Sequence, residues 1–252
     1  EGGTVVYTAS VTAPVTGSPV VVTLSNGQSI IIPVGESSAS VNFTAPNDVL
    51  AGGAALSVKI DDATGGNYEK LDVDGTSVNT SVTDTPDTTT LSLSATESVA
   101  EGGSIVYTAN LTNAAGTAMT VTLSNGAVIN IAAGATSGSV TFAAPTDDVY
   151  KDAGNVEVTI KETTGGNFEN LVADNTPAVT EVTDTVDATT VSLTATGNVN
   201  EGGSIIYTAT LSNAAGTPVT VTLSNGATIN IDAGKTTGTV KVDAPKDDVY
   251  KD

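Results

Sequence analysis

The chain has 252 residues, with eight Lys, no Arg and 28 Asp or Glu, for a net charge of −20. Such a field repels nucleic acid and anionic lipid and attracts cations, so nucleic acid is excluded as a partner. Cys, His and Trp are absent, which excludes disulfides, thiolate metal sites and Ser-His or Cys-His catalysis.

The chain opens on a Glu-Gly-Gly turn followed by an alternating strand, "EGGTVVYTA" from Glu1. "VTLSNG" follows at 22–27, where Asn-Gly between two strand-like runs is a hairpin signal. Next come "NDVLAG" at 47–52, "TGGNYEKL" at 64–71 and "VTDTPD" at 82–87. All recur 99 or 100 residues on, as "EGGSIVYTA" from Glu101, "VTLSNG" at 121–126, "DDVYKD" at 147–152, "TGGNFENL" at 164–171 and "VTDTVD" at 182–187. A third copy starts at Glu201 and reaches "DDVYKD" at 247–252; residues 101–152 and 201–252 agree at 38 of 52 positions. A period this long suits a small domain that folds alone better than a solenoid unit.

Within the middle copy the hydrophobic period is two, and the residues are mostly β-branched. Seven strands are predicted: A 89–98, B 104–113, C 119–124, D 127–133, E 138–144, F 156–162 and G 178–184. No segment carries a helical stripe, and no run approaches the roughly 18 apolar residues of a membrane span, so direct membrane insertion is not expected. Seven short alternating strands in about a hundred residues are the pattern of an immunoglobulin-like sandwich. The expected fold is therefore all-β, a tandem of immunoglobulin-like (cadherin-like) seven-stranded β-sandwiches in an extended rod. Strands of this length imply ~40 Å per domain and ~100 Å for the chain.

Strand A precedes the Glu-Gly-Gly turn, which sets the expected domains at 1–86 (lacking its first strand), 87–186 (complete) and 187–252 (ending before its last strands). Val106, Leu111, Val121, Leu123, Ile129, Ile131, Val140, Phe142, Val156, Val158 and Ile160 are expected to face inward, with Tyr107 nearer the surface or sheet edge. Lys59 and Lys161 alternate outward on strand F, which disfavours intramolecular isopeptide chemistry.

Strand alternation sends the A–B, C–D and E–F loops to the end where strand G leaves. Glu101, Asp147, Asp148, Asp152, Asp184 and Asp187 should therefore gather at one joint, and Glu1, Asp48, Asp84 and Asp87 at the preceding one. Oxygen ligands from several loops suit a structural, interdomain Ca²⁺, which takes 6–8 oxygens, better than Mg²⁺ with its tight octahedron. The bland reading is that these are ordinary turn formers on a solvated face. In the F–G segment, Asp174 is a further candidate ligand. Asn167 and Glu169 read as part of a Gly-hinged loop whose Phe168 and Leu171 cap the sandwich. Paired carboxylates also serve glycosidases, but here they repeat at domain ends with no aromatic sugar platform.

The unit built from "VTDTxD", "EGG", "VTLSNG" and "DDVYKDAG" resembles, over the whole chain, the tandem repeats of giant RTX adhesins of the LapA type, exported by type I secretion. The resemblance implies an extracellular, non-enzymatic spacer at the bacterial surface, rigidified by Ca²⁺ between neighbouring repeats and supporting biofilm adhesion. Two alternatives stay open: a matrix fibre in which copies of the chain join end to end, and a module binding glycan or protein through its loops. Near-identical loops without Trp favour the spacer. Removing Ca²⁺ is expected to let the joints flex.

Overall fold

The computed structural model describes residues 1–53 and 55–246, so the third "DDVYKD" lies outside the described residues. All regular elements there are strands: β1 (Thr4–Ser10), β2 (Val20–Leu24), β3 (Ser29–Ile32), β4 (Ser38–Thr44), β5 (Ala55–Val58), β6 (Ile60–Thr64) and β7 (Val78–Ser81) in the first repeat. The middle repeat adds β8 (Thr88–Ala95), β9 (Ser98–Ala100), β10 (Ser104–Leu111), β11 (Met119–Leu123), β12 (Val128–Ile131) and β13 (Ser137–Ala143). It continues with β14 (Gly154–Val158), β15 (Ile160–Gly165), β16 (Asn170–Ala173) and β17 (Ala178–Thr183). The third supplies β18 (Val191–Ala195), β19 (Ser204–Leu211), β20 (Val219–Thr222), β21 (Thr228–Ile231) and β22 (Thr237–Asp243). Among the described residues no helix is long and apolar enough to cross a membrane.

The chain forms two compact units. One holds Glu1–Ala95, Val106–Val140 and Val158–Ala178; the other holds Thr96–Ile105, Thr141–Glu157 and the residues from Val179 on.

In the first unit, the first repeat forms three small sheets, β1-β4, β3-β2-β6 and β5-β7. Period-two alternation decides which side chains enter the core. On β2, Val20, Val22 and Leu24 are buried while Val21 and Thr23 are exposed. These three meet Tyr7 and Ala9 of β1, Ile30 and Ile32 of β3, and Val58 of β5 in one buried cluster. A single core shared by facing sheets is what a β-sandwich requires. Two further sheets follow, β13-β10-β8-β16 and β12-β11-β15. Here β8 runs antiparallel to β10 and parallel to β16. Its Leu91 and Thr89 are buried, and the Thr89 hydroxyl accepts a hydrogen bond from Asn113 Nδ2 at 3.1 Å.

A comparison within the chain shows what β8 and β9 cover. In the first repeat β1 pairs only with β4, and an apolar groove lined by Val5, Tyr7, Val58 and Val78 runs beside it. Val78 is 57% exposed there, whereas Ala178, at the matching place on β17, is 5% exposed.

The second unit contains the sheets β14-β17-β9, β18-β19-β22 and β20-β21. Ala209, Leu211, Ala215, Ile229 and Ile231 form its third-repeat core.

Two predicted strands are each split. Strand A pairs as β8 up to Ala95, and from Ser98 the chain re-pairs as β9, parallel to β17. Strand F divides at Thr159, opposite a register shift between Thr122 and Leu123. There Ser124 replaces the ladder: its N–H donates to Thr159 O at 2.9 Å, and its hydroxyl accepts from Thr159 N–H at 3.1 Å. Ser25 and Lys59 do the same in the first repeat. The segment expected to be a loop after strand F supplies the extra strand β16.

Three core expectations are corrected. Tyr107 is fully buried, while Val106 is 41% exposed. On β10 the buried set is Ile105, Tyr107, Ala109 and Leu111, the only parity compatible with burying Leu111. Phe142 is 39% exposed because β13 is the edge strand of its sheet. Val140 and Val156 are half-buried, and the remaining expected core residues are buried.

Candidate functional site

The Glu-Gly-Gly turn is held in the same way each time. Gly102 N–H donates to Pro145 O at 2.7 Å, Ala144 N–H to Gly103 O at 3.0 Å, and Glu101 N–H to Thr183 O at 3.0 Å. In the first repeat Gly2 and Gly3 bond Ala45, and the Glu1 α-ammonium donates to Thr83 O at 2.6 Å. Both glycines are needed. Gly102 has φ +69°, and a Cβ on Gly103 would sit 2.6 Å from Val99 Cγ2 and 2.8 Å from Ala100 O. The turn thus fixes its glutamate beside the end of the last strand and the segment after β4 or β13.

Two carboxylate groups result among the described residues. Glu1, Asp48 and Glu169 offer oxygens that all lie within 4.8 Å of one another, and so do Glu101, Asp152 and Asp184. Each group lies within one compact unit. Oxygens on opposite sides of a Ca²⁺ at about 2.4 Å stand ~4.8 Å apart, so either group can ring one such ion. Glu1 Oε2, Glu101 Oε2 and Glu169 Oε1 are shielded from solvent and have no hydrogen-bond partner. Acceptor oxygens facing other acceptors need a proton or a cation between them. Accordingly, burial raises the Glu101 carboxyl above its ordinary value, with the neighbouring Asp152, then Asp184 and Asp148, adding in the same direction. Burial likewise raises Glu1, followed by the Glu169 carboxyl and the charges of Asp48 and Asp84. All-oxygen donor sets of this kind suit a hard divalent cation.

The remaining acidic candidates stand around these groups. Asp84 Oδ2 accepts from Gly52 N–H at 2.8 Å, and its counterpart Asp184 Oδ1 accepts from Asp152 N–H at 3.2 Å. Asp48 and Asp148 each close a local turn, accepting from Leu50 N–H and Tyr150 N–H at 2.7 Å. The Thr185 hydroxyl donates to Asp147. Asp87 Oδ2 accepts from Asn47 Nδ2 at 2.8 Å, and Asp87 N–H donates to Glu169 Oε2 at 2.7 Å. Asp187 is exposed and outside the second group.

Asp174 is also outside both groups. It accepts from Thr176 N–H at 2.9 Å and Thr176 Oγ1 at 2.7 Å, and these bonds lower its pKa. Asp174→Ala should therefore leave any response to Ca²⁺ unchanged in a thermal melt. It should remove only stability that is present above the ordinary value of 3.8 and lost as pH falls through the lowered one.

Glu169 is the group member that sequence reasoning assigned to a surface loop. The one signal for it is the recurrence of "TGGNYEKL" as "TGGNFENL" in a segment facing the preceding repeat.

An all-β repeat protein with the same turn and an acidic oxygen group at successive repeat ends defines a class, the repeat proteins built from small β domains. The family model of the LapA domain matches residues 1–85, 87–185 and 187–252, and the chain belongs to that family of adhesin repeats. Membership carries an adhesin-related role in bacteria, structural rather than enzymatic, and a cell-surface or extracellular location. No curated protein matches the sequence.

Proposed function

We propose that the chain is a stalk segment of a biofilm adhesin exported by type I secretion, in which Ca²⁺ bound at the repeat joints stiffens a row of domains. The domains are 1–86 (without strand A), 87–186 and 187–252 (without its last strands), immunoglobulin-like sandwiches of the seven-stranded plan, with strands A and F both split in the middle one. The observation carrying this reading is an acidic oxygen group built on the turn glutamate at two repeat ends, Glu1 with Asp48 and Glu169, and Glu101 with Asp152 and Asp184, with unpartnered oxygens on Glu1, Glu169 and Glu101. The first group takes Glu1 and Asp48 from one repeat and Glu169 from the next, so an ion there would tie the two together. It would act by relieving the repulsion among these carboxylates.

Calorimetric titration of Ca²⁺ into chelator-stripped protein tests it. Two sites are expected, Glu101→Gln should remove one of them, and Mg²⁺ should bind more weakly. Absence of saturable binding would refute the cation role. Small-angle scattering decides between stalk and fibre. A maximum dimension of ~100 Å that does not grow with protein concentration supports the stalk.

A further inference from the structure

Beside its contacts with charged groups, the loop after β4 touches the next repeat through atoms that carry no charge. Its tip, Val49–Ala51, lies beside Asn167–Glu169 as a short antiparallel edge centred on Leu50 and Phe168. Ala51 N–H donates to Asn167 O at 2.9 Å, Glu169 N–H to Val49 O at 3.1 Å, and Asn167 Nδ2 to Ala51 O at 2.9 Å. Leu50 rests on Gly116, where an added Cβ would meet its methyl carbons at 2.9 and 3.0 Å. Gly116 does not have a left-handed φ, so its backbone does not call for glycine. Its neighbour does.

The arrangement recurs one repeat on. Tyr150, at the position of Leu50, lies on Gly216, where a Cβ would stand 2.9 Å from Cδ1 and 3.1 Å from Cε1. Its phenol donates to Ala214 O at 3.1 Å. Gly216 likewise lacks a left-handed φ. In the middle repeat, Gly116 N–H donates to Gly166 O at 2.9 Å; in the first repeat the matching donor to Gly66 O is Thr16 N–H, at 3.4 Å. The first repeat has one more residue here, so Thr16-Gly17 stands where the two occupied positions have a single glycine.

We infer that Gly116 and Gly216 floor a socket that accepts an apolar side chain, Leu or Tyr, from the loop tip of the preceding repeat, and that this clasp sets the docking of consecutive repeats whether or not a cation is bound. The partner is chemically defined. It is an extended tip that offers backbone N–H and C=O groups to a strand edge and one apolar side chain to a pocket, the division of labour in β-augmentation. Because the clasp bonds are neutral, they do not need the acidic group to be neutralised. This inference is independent of the cation reading.

Hydrogen exchange of the 252-residue chain in excess chelator tests it, read at the amides of Ala51 and Glu169. Both should stay protected by at least about tenfold relative to Gly116→Val, which fills the socket. Adding Leu50→Ala to Gly116→Val empties the space again and should restore protection. The Val121 amide, in β11, reports whether the sandwich is intact. If Gly116→Val also loses that protection, Leu50→Asp replaces it, since it alters only the loop tip. Unprotected exchange of Ala51 and Glu169 in the parent chain, or unchanged protection in the socket and tip variants, would overturn the inference. Failure of Ca²⁺ to bind would leave these outcomes intact, so the two ideas fail separately.

Discussion

Free Ca²⁺ at a hundredfold excess over its dissociation constant should stabilise the chain by about 2.7 kcal/mol per site, because the ion binds the folded arrangement of carboxylates and not the unfolded chain. For a domain of about 100 residues, that raises the melting temperature by roughly 10–20 °C. Removing Glu101 has opposite effects with and without the ion. With Ca²⁺, Glu101→Gln loses a ligand and should melt lower than the parent. In chelator it removes a shielded carboxylate that faces Asp152 and Asp184, and should melt higher. The pH dependence has a definite sign. Glu101 has a folded pKa raised above the ordinary value of 4.5, so its protonated form is favoured on folding. The stability it contributes is fully present below that ordinary value and is lost as pH rises through the raised one. Metal-free melts should therefore fall over that window, and Glu101→Gln should flatten the fall. A melting temperature indifferent to Ca²⁺, together with an unaltered pH profile in Glu101→Gln, would show the group to be a solvated face.

Ile160→Ala should cost about 2–5 kcal/mol, measured as the shift in urea unfolding, because the lost methyls leave a cavity that a small core cannot close. Ile160 is buried and stands opposite Leu123 where the β11–β15 register shifts. Its neighbour Lys161 is exposed, and Lys161→Ala should cost under about 1 kcal/mol. The contrast is a test of register, since a slip by one residue would exchange the two faces. Equal costs would mean that the strand is threaded wrongly.

Strand positions were readable because period-two burial leaves a direct trace in the residues. The predicted bounds of B, C and D fall within two residues of β10, β11 and β12. The breaks in A and F were not readable, because they depend on partners. Thr159 is extended chain like its neighbours, and only the bond pattern with Ser124 across the sheet divides β14 from β15. Tyr107 was expected near the surface or sheet edge, yet burying Leu111 fixes its parity inward. Burial pushes that phenol above its ordinary pKa, only partly offset by the Asn125 side chain. The glutamate of the turn was legible in the candidate site because it repeats. Glu169 was not, because its place depends on how the next repeat's segment pairs with Val49 and Ala51.

The two halves of strand A have a consequence for a stalk under load. β8 runs parallel to β16, and β9 runs parallel to β17, the last strand of the repeat. In the proposed stalk, tension would enter at the residues before β8 and leave after β17, so parallel partners would be pulled in opposite directions along their length. Such strands slide past each other and load their hydrogen bonds together, whereas a hairpin pulled from its open end gives them up one at a time. At β17 the bonds carrying that shear include Glu181 N–H to Glu97 O at 2.9 Å and Glu101 N–H to Thr183 O at 3.0 Å. The second of these belongs to the Glu-Gly-Gly turn, so Glu101, a member of the acidic group, would also be part of that mechanical clamp.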